Sequence, residues 1–222
     1  MAQGNALSLI FVHLQVIDMS ITYLIILITA GFSIAAFNNQ RIIDELILWP
    51  AQMERSKQFY RLFTCSLIHA NWPHLIFNMI TLYFFGRAVE NVYAQYFGAY
   101  NFLLLYVLGV VISSLPTYIK YRNNYNYRSL GASGGVAAIL FAFIFLSPWT
   151  TIYFIVLPLP GVLFGVIYLV YTVYMSRQQG GDGINHDAHF WGAITGITYT
   201  FIMEPKLATS FIQQITHPAF LN

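Results

Sequence analysis

The 222-residue chain is 58% hydrophobic and only 8% charged, with a mean hydropathy of +0.62. One soluble core cannot bury that much apolar surface, so the composition excludes a soluble globular protein and indicates an integral membrane protein. Ten Lys and Arg against eight Asp and Glu form no dense basic cluster, so no nucleic-acid partner is expected. The single cysteine, Cys65, excludes an internal disulfide and a CxxC redox or zinc site.

The first segment, residues 1–17, lacks a cationic start and a small-residue cleavage site. We therefore expect an interfacial segment here, not a removed signal peptide. The six-helix domain is predicted to occupy residues 18–205, and residues 206–222 are predicted to form a C-terminal tail.

The membrane spans are predicted from stretches without Asp, Glu, Lys or Arg, because a crossing helix needs about 20 apolar residues. The stretch 129–176 is too long for one helix and divides at Ser-Pro-Trp-Thr, 147–150. The last stretch is short and should borrow length from residues 185–187. The predicted fold is an all-α bundle of six spans, taken from residues 19–40, 62–86, 91–119, 129–146, 151–176 and 188–203.

Polar side chains occur near the starts of alternate spans. His74 and Asn78 lie in the second span, Ser133 begins the fourth, and His189 begins the sixth. Spans two, four and six enter the membrane from the same side, so these groups should reach a similar depth. Polar groups inside a membrane are costly and usually face the bundle interior or a wet cavity. Their convergence therefore predicts a functional site.

The fourth span is too short to cross the whole bilayer. Residues 131–146 cover about 24 Å of a hydrocarbon core about 30 Å thick, so Ser133 should lie below the membrane surface. Irregular backbone at that depth is tolerated only in protein or beside water. We therefore expect the loops 38–73 and 120–130 to wall a water-filled pocket above Ser133.

Ser133 is a candidate nucleophile, although a serine among small residues is on its own more often a helix-packing residue. It stands between Gly131 and Gly134 at the positive end of a helix, where free N–H groups point outward. This position suits a nucleophile and one donor of an oxyanion hole. A serine hydroxyl still needs a base.

His189 is the candidate base. Gly192 and Gly196 follow it at helical spacing, and glycine on that face lets the sixth span approach another backbone closely. This approach should bring His189 within hydrogen-bond reach of Ser133. The small residues expected on the facing span are Gly134, Ala137 and Ala138.

His74 and Asn78, four residues apart, share one helical face and could stabilise an oxyanion together with the Ser133 N–H. Asp187, two residues from His189, should lie on another face of its helix. The pattern therefore predicts a Ser-His dyad without a third, acidic member.

The sequence resembles the rhomboid family of intramembrane serine proteases over all six spans, from about residue 15 to 205. Three motifs in order carry the resemblance: His69, His74 and Asn78 match HxxxxHxxxN, Gly131-Ala-Ser133-Gly matches GxSG, and Ala188-His189-x-x-Gly192 matches AHxxG. Weaker matches are Tyr60-Arg61, where members have Trp-Arg, and Glu90.

The resemblance implies a peptidase that cleaves in or near transmembrane segments of other membrane proteins, with no metal or organic cofactor. Ser133 would be the nucleophile and His189 the general base and acid, with His74 and Asn78 in the oxyanion site. Arg61 and His69 would brace the 38–73 loop, which in this family dips sideways into the membrane. Further structural support is expected from Glu90, Gly131, Gly134, Gly192 and Gly196.

The sequence departs from the family in one place. Many members carry an aromatic residue four places after the serine, stacked on the catalytic histidine, and Ala137 stands there. We expect a neighbouring ring, such as Trp191 or Phe141, to orient His189 instead.

The charge distribution conflicts with the family topology. Cations normally mark the cytoplasmic side, whereas the rhomboid site opens outside the cytoplasm. We follow the resemblance and expect a prokaryotic inner membrane, with the cations of the long loop in structural roles. Two cations, Arg87 and Lys206, lie on the side of the termini, against eight on the side of the site: Arg41, Arg55, Lys57, Arg61, Lys120, Arg122, Arg128 and Arg177.

Other interpretations remain open. A metal site among the histidines lacks an HExxH motif, and Asp182 in Gly-Gly-Asp-Gly lacks the second intramembrane aspartate of an aspartyl protease. A rhomboid-like protein that only binds or extracts helices would need neither Ser133 nor His189. A channel or transporter would continue its polar lining beyond these residues. Residues 158–161, Pro-Leu-Pro-Gly, predict a kink in the fifth span.

Overall fold

A computed structural model describes residues 20–154, 156–178 and 183–218, so the predicted interfacial segment 1–17 lies outside the described residues. The described chain is mostly helical, with one two-stranded hairpin of β1 (Thr151–Phe154) and β2 (Leu157–Pro160). The helices are α1 (Ile21–Phe37), α2 (Gln40–Leu46), α3 (Pro50–Ser56), α4 (Arg61–Thr64), α5 (Trp72–Thr81), α6 (Arg87–Tyr96), α7 (Ala99–Tyr121), α8 (Ser133–Leu146), α9 (Gly161–Arg177), α10 (His186–Met203) and α11 (Lys206–Thr216).

The second predicted span begins ten residues later than expected. The residues before α5 form the short helix α4 and a 3₁₀ turn, and α5 starts where Asn71 accepts a hydrogen bond from the His74 N–H at 2.9 Å. A π-helical segment, Leu82–Gly86, joins α5 to α6. The third span likewise begins at Ala99, after Gly98 with φ +87°, and not at residue 91. Counting uncharged residues missed these breaks because capping residues and glycine set helix ends.

Glu90 of α6 holds the start of α1. Its carboxylate accepts hydrogen bonds from Ser20 Oγ and the Ile21 N–H, both at 2.6 Å, and from the Thr22 N–H at 3.2 Å. Arg87 lies 3.3 Å from the same carboxylate. A negative group is favourable at a helix N-terminus because the free N–H groups point at it. Glu90 therefore makes the contacts of a structural residue.

The predicted division of the long apolar stretch at 147–150 is present, since α8 ends at Leu146. A β-hairpin follows, however, in which Thr151 pairs with Pro160 and Phe154 with Leu157. Pro158 and Pro160 therefore lie in β2 and do not kink the fifth span, and the all-α prediction was wrong in omitting this hairpin. Proline is tolerated because a two-stranded sheet consists of edge strands.

Helix α8 is the centre of the fold and packs between α7 and α10. It is apolar on every side and almost entirely buried, as expected for a core helix without a solvent face. Gly109 of α7 lies close to α8, since a Cβ there would be 2.6 Å from the Ala138 Cβ and 3.2 Å from the Gly135 Cα. Helix α11, within the predicted tail, covers the far end of α8 through Phe145 and Phe211, whose ring centroids are 5.0 Å apart.

One described helical segment, Tyr100–Tyr121, is long and apolar enough by composition to cross a membrane. Three other described helices are apolar but shorter: Ile21–Phe37, Ser133–Leu146 and Gly161–Arg177. At 1.5 Å per residue, α8 is about 21 Å long, so its start would lie below the surface of a bilayer. The count of six spans stays a prediction.

The loop between α1 and α5 is folded around Arg61, which is buried with 5% exposure. Its Nη1 donates to the carbonyl oxygens of Asp44 at 2.8 Å and Ile47 at 2.9 Å, and its Nε donates to Gln58 Oε1 at 2.8 Å. A planar guanidinium donates from separate nitrogens in fixed directions, whereas an ammonium donates from a single nitrogen. Arg61 therefore ties α2, α4 and the chain between them into one unit.

Candidate active site

Ser133 is the first residue of α8 and is half-buried. The chain before it is fixed to the long loop: Ser129 and Leu48 exchange two backbone hydrogen bonds of 3.0 Å, and the Gly131 N–H donates to the Cys65 carbonyl at 2.9 Å. The Ala132 N–H donates to His69 Nε2 at 3.2 Å. Hydrogen bonds at Ser129, Gly131 and Ala132 thus fix the backbone of the residues that precede Ser133.

The glycine at position 131 allows the His74 ring to pack against the backbone that precedes Ser133. Its φ of +121° lies in the region that disfavours any side chain, and a Cβ there would meet His74 Cε1 at 2.6 Å. His74, from the first turns of α5, therefore reaches a position two residues before Ser133.

His69 occupies a fully determined hydrogen-bond chain. Ser33 Oγ donates to the Leu67 carbonyl at 3.0 Å and so accepts from His69 Nδ1, also 3.0 Å away. Nε2 accepts from Ala132, so the ring is neutral with its proton on Nδ1. Burial, aided by the neighbouring His74, lowers the pKa of His69 to about 3. These are the contacts of a bracing residue.

Asn78 is buried, with 4% exposure, one turn after His74. Its Nδ2 donates to the His74 carbonyl at 2.8 Å, which uses one of its two amide hydrogens. This bond fixes the amide on the face of α5 that also carries His74.

Helices α8 and α10 meet backbone to backbone. A Cβ on Gly192 would lie 2.2 Å from the Gly134 carbonyl oxygen, and one on Gly196 would lie 2.0 Å from that of Ala138. The close approach predicted from these glycines is therefore present, with Gly134 and Ala138 as the facing residues. Because Ser133 precedes Gly134, this seam sets the first turn of α8 opposite the turn of α10 that carries His189.

The aromatic ring that packs against His189 belongs to Tyr168, which the sequence analysis did not identify. Tyr168 of α9 places its hydroxyl 2.8 Å from His189 Nδ1, and the two rings are nearly parallel at 23° with centroids 6.1 Å apart. Of the two rings expected here, Phe141 packs on Tyr168 and Trp191 on Phe190. The span carries three tyrosines, Tyr168, Tyr171 and Tyr174, and no local pattern singled out the one that reaches His189.

Asp187 binds residues of two neighbouring helices. Its carboxylate accepts from Lys120 Nζ at 3.0 Å and from the Ser176 hydroxyl, joining the ends of α7 and α9. These bonds engage the Asp187 carboxylate with α7 and α9, and the Ser-His dyad without an acidic member stays a prediction.

Asn185, also missed, caps α10. Its Oδ1 accepts from the Ala188 N–H and from Thr117 Oγ1, each at 3.1 Å, and its Nδ2 donates to Ser129 Oγ at 3.2 Å. It therefore links the start of α10 to the chain before Ser133. An asparagine at a helix start is a recognisable capping signal.

A small cavity of about 10 Å³ opens behind Ser133. Its size suits about one water molecule, and hydroxyl and amide groups supply the polar partners that such a water needs. Its polar lining comes from Ser113, Ser114, Ser129, Ser133 and Asn185.

Two alternatives were a metal site among the histidines and an aspartyl protease that uses Asp182. Within the described ranges no three His, Cys, Asp or Glu side chains are grouped as metal ligands would be. Asp182 lies outside the described residues.

The chain is similar in sequence to known proteins. A model of the Rhomboid domain matches residues 56–206. The chain is 30% identical over 173 residues, 71% of its length, to the mitochondrial RHOMBOID-like protein 12 of Arabidopsis thaliana, of which it spans 50%. It is 26% identical to the putative rhomboid protease YdcA of Bacillus subtilis, covering 67% of this chain and 69% of that protein.

It is also 28% identical to the rhomboid protease GlpG of Haemophilus influenzae, covering 71% of this chain and 76% of that protein. The domain match includes His69, Asn78, Ser133 and His189 and extends over more than half of the chain. The chain therefore belongs to the rhomboid family, whose members are integral to membranes.

Proposed function

We propose that this protein is a serine endopeptidase that cleaves peptide bonds in or near transmembrane segments of other membrane proteins. The observation that carries the proposal is the contact of Gly192 with the Gly134 carbonyl, which sets the turns bearing His189 and Ser133 against each other. Two relatives bear protease names, which supports the same reaction class.

In this mechanism the Ser133 hydroxyl attacks the scissile carbonyl carbon while His189 takes its proton. The oxyanion forms near His74, Asn78 and the Ser133 N–H, and each such donor is typically worth about 10²–10³ in turnover. His189 then protonates the leaving amine. A water molecule then attacks the acyl carbon while His189 takes its proton, and His189 returns that proton to the Ser133 oxygen as the acyl group leaves.

The substrates follow from the same chemistry. A helix hides its carbonyl groups in hydrogen bonds between residues i and i+4, so the scissile stretch must unwind first. We expect substrates with helix-breaking residues and a small side chain before the cleaved bond. The lipid bilayer is the other expected partner.

The location proposed is a prokaryotic inner membrane with the site open to the extracytoplasmic side. The cation excess around the site is the argument against this orientation, but five of those cations have local structural partners. Arg61 binds backbone carbonyls, and four pair with carboxylates: Arg41 with Glu45, Lys57 with Glu54, Lys120 with Asp187 and Arg128 with Asp44.

A fluorophosphonate probe, which phosphonylates an activated serine with loss of fluoride, tests the proposal. Purified protein should be labelled, whereas Ser133→Ala and His189→Ala should not. Ser147→Ala, at the other end of α8, is the matched serine control and should be labelled like wild type. Cleavage of a fluorescent transmembrane peptide in vesicles should follow the same order.

The rival is a rhomboid-like protein that binds or extracts transmembrane helices without cleaving them. It predicts no label on wild type, or equal label on all four proteins, together with capture of the peptide uncut. Either result would reject the peptidase.

A further inference from the structure

Tyr168 contacts His189 in a way that neither the sequence motifs nor the proposed dyad requires. The hydroxyl lies 2.8 Å from Nδ1, and the phenol ring is stacked on the imidazole. Phe141 of α8 and Phe164 of α9 hold the phenol from other sides, with ring centroids 5.3 Å and 5.9 Å away. The phenol is therefore fixed by packing, and its polar end is directed at one atom.

Tyr168 supplies an aromatic ring that α8 lacks, because α8 carries Ala137 where many family members carry an aromatic residue. Ala137, buried with 3% exposure, has only a methyl group to present, so α8 supplies no ring at this position. Helix α9 supplies one instead, and adds a hydroxyl that can hydrogen-bond the imidazole.

The proton positions decide what this hydroxyl can do. A histidine that takes a proton from Ser133 must offer a lone pair on one ring nitrogen, and Nδ1 is already engaged by Tyr168. The lone pair must then be on Nε2, which requires the proton on Nδ1. In that tautomer His189 Nδ1–H donates to the Tyr168 oxygen, and the bond persists when Nε2 gains its proton.

We infer that Tyr168 is a positioning residue that holds His189 in the Nδ1–H tautomer and fixes the plane of its ring. It does for the imidazole what a buried aspartate does in a triad, but as a neutral acceptor. This role rests on the proposed function, because only a base in catalysis needs a chosen tautomer.

Histidine tautomers are measured directly by ¹⁵N NMR of the labelled protein in detergent, with the His189 signal identified by its loss in His189→Gln. Wild type should show Nδ1 protonated and Nε2 unprotonated at neutral pH. In Tyr168→Phe the ring should exchange between both tautomers. A wild-type ring protonated on Nε2 would overturn the inference, and this measurement needs no activity.

Kinetics supply the second readout. With a peptide substrate, Tyr168→Phe should lower kcat on the order of 10–100-fold with KM within about twofold, because only the proton transfer is impaired. The matched control is Tyr174→Phe, which removes an exposed hydroxyl from the same helix and should leave kcat unchanged. Unchanged kcat in Tyr168→Phe would contradict the positioning role.

The outcomes distinguish a failure of the proposed function from a failure of the role of Tyr168 alone. If wild type takes no fluorophosphonate label while its His189 shows the Nδ1–H tautomer, the peptidase is rejected and the contact stands as structural, which also rejects the positioning role. If wild type is labelled and Tyr168→Phe is labelled equally fast, the peptidase stands and only the role of Tyr168 is lost.

Discussion

His69 and His74 are neighbouring histidines with different surroundings. Their rings meet edge to face with centroids 4.8 Å apart. Both ring nitrogens of His69 are occupied, by Ser33 and by the Ala132 N–H, whereas His74 lies against Gly131 beside the serine. One ring therefore braces the loop while the other is available to the site, a distinction that their residue type cannot give.

His69 should make the stability of the protein depend on pH. Its pKa is about 3 in the folded protein against 6.5 when unfolded, so folding favours the neutral ring. Its contribution is complete above pH 6.5 and is lost as the pH falls towards 3, by about 1.4 kcal/mol per pH unit. Unfolding free energies in detergent between pH 7 and 5 should therefore differ by about 2 kcal/mol from this residue.

Two variants separate this effect from other titrating groups. His69→Gln should remove that part of the slope, and Ser33→Ala should lower stability at every pH while keeping the slope. A slope unchanged in His69→Gln would refute the assignment.

At the scale of elements, the contact between α8 and α10 positions the site. Glycine and alanine let the two backbones touch, and the turns that carry Ser133 and His189 follow from that contact. Helix α9 then adds Tyr168, while Asn185 and Asp187 fix the beginning of α10 to α7. The site thus depends on three helices whose mutual positions are set by small residues and a few polar bonds.

Gly192→Ala should separate these helices, because the new Cβ would lie 2.2 Å from a backbone oxygen that cannot rotate away. We expect a loss of about 1–3 kcal/mol in the unfolding free energy. Labelling of Ser133 should fall about 100-fold, since a 1 Å displacement of catalytic groups has that cost.

Gly31→Ala is the matched control, since a Cβ there meets nothing within 4 Å. It should be as stable as wild type or slightly more stable, because alanine favours a helix. A Gly192→Ala protein that is labelled at the wild-type rate would show that the seam does not set the site.

For the whole molecule, the distribution of cations and the family resemblance give opposite predictions for the side of the membrane on which the site opens. Most cations on the side of the site have partners within the fold, either carboxylates or backbone carbonyls. A cation with a partner inside the protein is a poor guide to the side of the membrane on which its loop lies.

Cysteine labelling in intact bacteria tests the orientation. Burial raises the pKa of the Cys65 thiol to about 12, so wild type should give no background with a membrane-impermeant maleimide. Arg41→Cys, at a position with an exposed side chain, should be labelled in intact cells. Lys206→Cys, also exposed, should be labelled only after the cells are permeabilised, and the reverse pattern would invert the proposed orientation.

The family, the order of the apolar helices and the close packing of α8 on α10 can be read from the amino-acid sequence, because motifs, missing charges and glycine spacing are local features. Helix ends were located poorly and the β-hairpin was missed. The spans were assigned from continuous hydrophobicity, which does not reveal the capping residues and turns within an apolar stretch. Three contacts are seen only in the folded chain: Tyr168 lies on His189, Asn185 reaches Ser129, and His69 binds the Ala132 N–H. These contacts join residues 21 to 63 positions apart in sequence, so no local pattern encodes them.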